Sequence, residues 1–158
     1  MPSLSSPHIA LIAGLGATVC ISALALLSQH SPGALWLMAP FGATMVIMFA
    51  LPNSPLAHPR NIIGGHLLTS LVGLCLLYGL GVSPLTLGLG VGIALMLMML
   101  TKTTHPPAGA NPLLIMLTGQ HWDFLLTPVL SGSVLIVLFG CLYHRWVSHQ
   151  PYVGFQKT

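Results

Sequence analysis

The side chains that could do chemistry crowd into one stretch, Thr103-Thr104-His105-Pro106-Pro107-Ala108-Gly109-Ala110-Asn111-Pro112. His105 carries an imidazole, which can change charge near neutral pH. Thr103, Thr104 and Asn111 offer neutral hydrogen bonds, and Lys102 adjoins them. The prolines forbid a regular helix through the stretch, because proline lacks the backbone N–H and clashes with the preceding turn. A short helix can begin at Pro106 or Pro107 and continue through Ala110 to Leu117. Small residues such as Gly109 leave its first N–H groups accessible. A helix start is a partial positive charge with unpaired donors, and an anion suits it.

Pro40-Phe41-Gly42-Ala43-Thr44 can form a second such break. Between the two lie Arg60, Asn61 and His66. Each has two readings. Arg60 and Asn61 bind an anion at a mouth, or Arg60 only anchors topology. His66 lines the site, or bonds a neighbouring helix. His105 passes a proton to the anion, or merely bonds a backbone carbonyl at the break. Intramembrane ionisable residues favour the functional reading. If His105 takes up a proton with the anion, transport is electroneutral and faster at acid pH.

The elements that must hold these residues are membrane helices. Of the 158 residues, 54% are hydrophobic and 3% charged, with a mean hydropathy of +0.91. A soluble domain carries about 25% charged residues. The chain is therefore read as one all-α, polytopic membrane domain with no room for a separate soluble one. Its net charge of +3 does not imply nucleic acid, because four Lys/Arg cannot neutralise a run of phosphates. Cys20, Cys75 and Cys141 lie in apolar runs without metal-site spacing. Ala23-Leu24-Ala25 imitates a signal-peptidase site, but no Lys or Arg precedes the apolar run, so a retained first helix is expected.

Apolar runs cover about 9–27, 33–51, 61–82, 85–100, 106–118 and 124–143, with a polar tail holding His144, Arg145, His149 and Lys157. Gly65, Thr69 and Gly73 fall four apart, as close helix packing wants, and so do Gly88 and Gly92. A shift of 67 residues lays Pro40, Gly42, Ala43 and Thr44 on Pro107, Gly109, Ala110 and Asn111. It also lays Gly65 and Gly73 on Gly132 and Gly140. Two three-element repeats, about 9–82 and 83–147, follow. Three crossings in each invert one against the other, the plan of many transporters. Six crossings put Arg60, Lys102, Arg145 and Lys157 on one side and Asp123 on the other, which makes both termini cytoplasmic. The rival is four full spans with 33–51 and 101–118 as re-entrant half-helices.

Thr-His-Pro-Pro-Ala-Gly-Ala at 104–110, with Ser54-Pro55-Leu56-Ala57-His58-Pro59-Arg60-Asn61-Ile62-Ile63-Gly64-Gly65-His66 upstream, resembles the HPP family of integral membrane proteins. The resemblance runs over roughly 30–140. It implies nitrite transport, the activity of plastid and cyanobacterial relatives, and four transmembrane regions. Some relatives add a regulatory CBS pair, which these residues do not contain.

The substrate expected is thus a small inorganic anion, nitrite first, bound by Thr44, Arg60, Asn61, His66, Lys102, Thr103, Thr104, His105, Gly109 and Asn111. No cofactor is expected. The partners expected are lipid and a second copy of the chain, in a bacterial inner membrane. The other classes weighed are a metal-ion transporter, a membrane-embedded enzyme and a structural subunit. A metal carrier would want clustered ligands. His8, His30, His58, His121, His144 and His149 are expected in solvated loops or tails. An enzyme would want a carboxylate to orient His105, and the single acid, Asp123, falls in a loop.

Overall fold

The computed structural model describes residues 6–31 and 36–155. Lys157 and the turn residues Pro32 and Gly33 lie outside them. Among the described residues every regular element is helical. The helices are α1 (Pro7–His30), α2 (Ala39–Met45), α3 (Pro59–Leu80), α4 (Pro84–Leu100), α5 (Asn111–Thr118) and α6 (Ser131–Tyr143). A wide π turn, Val46–Ala50, extends α2. A tight 3-10 turn, Pro106–Ala110, leads into α5. Irregular helical turns flank α6 and extend it into an apolar helical segment, Trp122–Ser148, broken at Thr127, whose backbone is extended (φ −137°, ψ 115°).

Proline together with a polar cap sets the starts of α1, α3 and α4. Pro59 opens α3 behind His58, whose Nδ1 accepts the Arg60 N–H at 3.2 Å. Pro84 opens α4 behind Ser83. There the Ser83 hydroxyl accepts the Thr86 N–H at 3.2 Å and the Thr86 hydroxyl accepts the Ser83 N–H at 2.8 Å, a capping box. Proline at a first helical position removes an N–H that has no partner anyway. In hydrocarbon that matters more than in water.

Three helices are long and apolar enough to cross a membrane: α1, α3 and Trp122–Ser148. At about 1.5 Å per residue, the 22 residues of α3 reach about 33 Å. α4 and the Ala39–Ala50 segment are shorter. α3 is the most enclosed of the long helices. Its buried stripe is Ile62, Gly65, His66, Thr69, Ser70 and Gly73, at helical spacing. Apart from Ile62 the stripe is small and polar, while Val72 and Leu74 of the same helix are also buried. Glycine lets neighbours approach closely. A methyl added at Gly73 would meet the Pro112 Cα at 2.9 Å, and one at Gly65 the His105 Cβ at 3.0 Å. On α4 the packed glycine is Gly90, against Pro112 at 3.1 Å. Gly88 and Gly92, expected at an interface from their spacing, meet nothing within 4 Å and lie on the outer face of α4.

The connections gather at two ends. At one, the Arg60 guanidinium donates to the Lys102 carbonyl at 2.9 Å. The Tyr152 hydroxyl donates to the Ala57 carbonyl at 3.0 Å, and the Val153 N–H to the Pro52 carbonyl at 2.9 Å. At the other, Trp122 stacks on Tyr78 with ring centres 5.8 Å apart, and the Tyr78 hydroxyl meets His121 Nδ1 at 2.8 Å. The last helix is longer than the sequence suggests and continues past residue 143 to Ser148. His144 is therefore buried rather than in a solvated tail. Its Nε2 donates to the Met48 carbonyl at 2.9 Å, in the π turn that interrupts the α ladder. Its Nδ1 accepts from the Ser148 hydroxyl at 2.8 Å.

Candidate functional site: a buried histidine pair

Four of the ten candidate residues meet. Thr44 comes from α2, His66 from α3, His105 from the loop before the 3-10 turn, and Asn111 from the start of α5. All four are fully buried. The Thr44 hydroxyl oxygen lies 3.0 Å from His66 Nε2 and 3.0 Å from His105 Nε2. Asn111 Nδ2 lies 3.1 Å from His66 Nδ1, 3.1 Å from the His66 carbonyl and 2.9 Å from the Ser70 hydroxyl. His105 Nδ1 lies 2.9 Å from the Leu56 carbonyl.

Local structure explains the convergence. His105 has an extended backbone, φ −136°, ψ 100°, which the following Pro106 favours. Gly65 on α3 lets this strand of backbone come close, with the Thr103 carbonyl also 3.0 Å from a would-be methyl. Phe41, one turn before Thr44, sets its ring edge-on to His66, centres 5.1 Å apart. The two imidazoles are themselves 5.1 Å apart, at 67°.

The Leu56 carbonyl decides the protons. A carbonyl only accepts, so His105 Nδ1 carries hydrogen, and in the neutral ring Nε2 is then a lone pair. The Thr44 hydroxyl donates to it. The same oxygen accepts from His66 Nε2–H, which leaves His66 Nδ1 to accept from the Asn111 amide. Donation by Thr44 to the Pro40 carbonyl, at a longer 3.3 Å, would strand His105 Nε2. The cluster is thus a chain with one polarity: Asn111 to His66 to Thr44 to His105 to Leu56. Asn111 Oδ1 is buried with no partner.

The remaining candidates stand apart from this chain. Asn61 Nδ2 donates to the carbonyls of Pro55, at 3.0 Å, and Thr104, at 3.2 Å, and so ties the two loops that carry Leu56 and His105. Thr103 bonds Thr101 at 2.7 Å, and Thr104 reaches the Met98 carbonyl at 3.5 Å. Lys102 ends α4 in the left-handed conformation, φ 55°. The Lys102 N–H donates to Met99 and the Thr103 N–H to Met98, a Schellman closure. Its side chain is exposed, as is that of Arg60. Gly109 is half-buried with open space beside it.

Sequence reasoning missed Ser70, the Leu56 carbonyl and Phe41. Ser70 had a signal, since it lies one turn after His66 on the same face of α3. A carbonyl partner has none. Among the described residues no three His, Cys or acid side chains group as a metal site would require.

Between α2 and the 3-10 turn with α5 runs an open apolar groove, lined by Ala39, Pro40, Ala43, Val46 and Ile47 on one side and Pro106, Pro107, Ala110, Leu113, Leu114 and Leu117 on the other.

The chain is similar to two transmembrane proteins of Dictyostelium discoideum. One is 36% identical over 124 residues, covering 73% of this chain and 44% of that protein. The other is 32% identical over 129 residues, covering 77% and 42%. The chain thus spans less than half the length of these curated relatives. No solved structure matches it. The family model described as HPP, transmembrane region, matches residues 2–153, which takes in the helices and the whole buried histidine chain, and the protein belongs to the HPP family of transmembrane proteins.

Proposed function

We propose that the protein passes a small inorganic anion, nitrite first, across a membrane together with a proton. The observation that carries this reading is the buried chain of Thr44, His66, His105 and Asn111, where the two broken segments meet α3. Polar groups so deep in an apolar bundle mark substrate or proton pathways more often than packing.

The neutral chain has no ring N–H, amide hydrogen or threonine hydrogen to spare for an anion. Its one unpartnered atom, Asn111 Oδ1, is an acceptor. A proton on either imidazole creates the missing donor and a positive charge. An isolated charge at that depth is costly, and an anion beside it offsets the cost. Proton and anion therefore enter as a neutral pair. Nitrite is the ion named here on the family resemblance.

Six crossings in two inverted halves are the architecture we propose. The contacts that meet at each end support it. Arg60, Lys102 and the turn at Pro52–Ala57 gather with Tyr152 at one end, while Tyr78 and His121 meet at the other. The broken segment after Lys102 thus leaves from one end and arrives at the other. Pairs related by the 67-residue shift also make matching contacts. Gly73 faces Ile115 as Gly140 faces Met48, and Gly65 faces Ala108 as Gly132 faces Phe41. With Arg60, Lys102 and Arg145 at the cytoplasmic end, both termini are cytoplasmic. A bacterial inner membrane suits this arrangement.

The test is nitrite uptake into proteoliposomes of the purified protein, beside a His105→Ala variant. Uptake by the intact protein and its loss in the variant is the expected result. No uptake by the intact protein overturns nitrite as the ion.

A further inference from the structure

We propose that His66, Thr44 and His105 form a proton relay in which the Thr44 hydroxyl hands a proton from one imidazole to the other. The proposal deepens the proton-coupled reading of the same site by naming the path and its bridge.

The geometry carries it. The two Nε2 atoms are joined only through the Thr44 oxygen, at 3.0 Å on each side. The polarity derived from the Leu56 carbonyl already points every bond the same way. A proton added at His66 Nδ1 can therefore move its charge without moving any heavy atom of the bridge. His66 Nε2–H passes its proton to the Thr44 oxygen as the Thr44 O–H proton passes to His105 Nε2. One proton has entered and one excess proton rests on His105. Thr44 is again a neutral hydroxyl, and His66 is neutral with hydrogen on Nδ1.

That new Nδ1–H needs an acceptor. Asn111 supplies one if its amide turns by 180°, because Oδ1, idle in the resting arrangement, then faces His66 Nδ1; the turn gives up the bond from Nδ2 to the His66 carbonyl, which is its cost. The Ser70 hydroxyl, at 2.9 Å from the amide, can donate or accept and so serves both orientations. An unpartnered buried oxygen is costly when it is merely structural. Here it is the second position of a two-way switch.

The surroundings keep the proton on this path. Phe41 from α2, Ser70 from α3 and Asn111 from α5 face the chain, and none of them titrates in the neutral range. Arg60 and Lys102 are exposed at the end of the bundle. Among the described residues no other acid or base is hydrogen-bonded to the two imidazoles.

The experiment uses the full chain in lipid, with Thr44→Val to remove the hydroxyl at nearly constant shape and Thr44→Ser to keep it. Nitrogen-15 spectra of the histidines are read across pH, and proton uptake driven by nitrite is followed with an internal pH dye. The intact protein should show hydrogen on Nδ1 of His105 and on Nε2 of His66 at neutral pH. Its two rings should take up their first proton as one linked pair. Thr44→Ser should keep both features. Thr44→Val should separate the two titrations and slow proton uptake on the order of 100-fold, the scale of losing a positioned proton-transfer group. A neutral His66 with hydrogen on Nδ1 in the intact protein overturns the relay. So does a Thr44→Val protein that keeps intact proton uptake per nitrite. The spectra need no transported ion, so they judge the relay even if the intact protein fails to move nitrite.

Discussion

Asn111 grips His66 twice: its amide nitrogen lies 3.1 Å from the ring Nδ1 and 3.1 Å from the main-chain oxygen of the same residue. Asn111 sits at the start of α5, just after the 3-10 turn, and so fixes a broken segment to the central helix by side chain and backbone at once. Thr44, its counterpart under the 67-residue shift, meets the opposite nitrogen of the same ring.

Truncating that grip should cost stability as well as activity. Asn111→Ala leaves a buried ring nitrogen without its donor, a loss of about 1–3 kcal/mol. Thermal unfolding in detergent should show it. An unchanged midpoint would mean that the amide bonds nothing of consequence.

The glycine contacts rank two further substitutions. A methyl at Gly73 meets the Pro112 Cα, which is backbone and cannot step aside, whereas one at Gly140 meets the flexible end of Met48. Gly73→Ala should therefore destabilise by about 1–3 kcal/mol and Gly140→Ala by less, because a methionine side chain repacks. The opposite order in the same unfolding assay would refute the argument.

Much of this was legible beforehand because prolines and polar breaks are loud in an apolar chain. The helix limits at Pro59, Pro84 and Leu100 stand within two residues of those read from the runs. Thr44, His66, His105 and Asn111 all stand out in the sequence as polar residues at a break or on a span. What stayed hidden depends on distant pairing. Pro52, four residues on, has no N–H for the Met48 carbonyl, but nothing local says that His144 takes its place, so His144 read as a tail residue. Nothing local says that Lys102 has its backbone in a Schellman turn and its side chain in the open.

The path of the chain makes a labelling prediction. Single cysteines replacing Lys102 and Gln120 should react with an impermeant maleimide from opposite faces of the membrane, with the native Cys20, Cys75 and Cys141 changed to Ala. Reaction of both from one face would favour the re-entrant arrangement over six crossings.

Tyr152 gives a pH prediction outside the spanning helices. Burial raises its phenol above the ordinary value, and the hydroxyl donates to the Ala57 carbonyl. A group raised in the folded state stabilises fully below its unfolded value, about 10, and loses that contribution as pH climbs above it. Detachment of the C-terminal segment, followed by proteolysis near residue 150, should therefore accelerate above about pH 10. Tyr152→Phe should remove that dependence.

The bond between His144 and the Met48 carbonyl reaches across 96 positions of the chain. During synthesis Met48 leaves the ribosome long before residue 144 does. Until then its carbonyl, which Pro52 cannot serve as a donor, has no imidazole to meet. The bond that joins the Ala39–Ala50 segment to the last helix can therefore form only after that helix has been made.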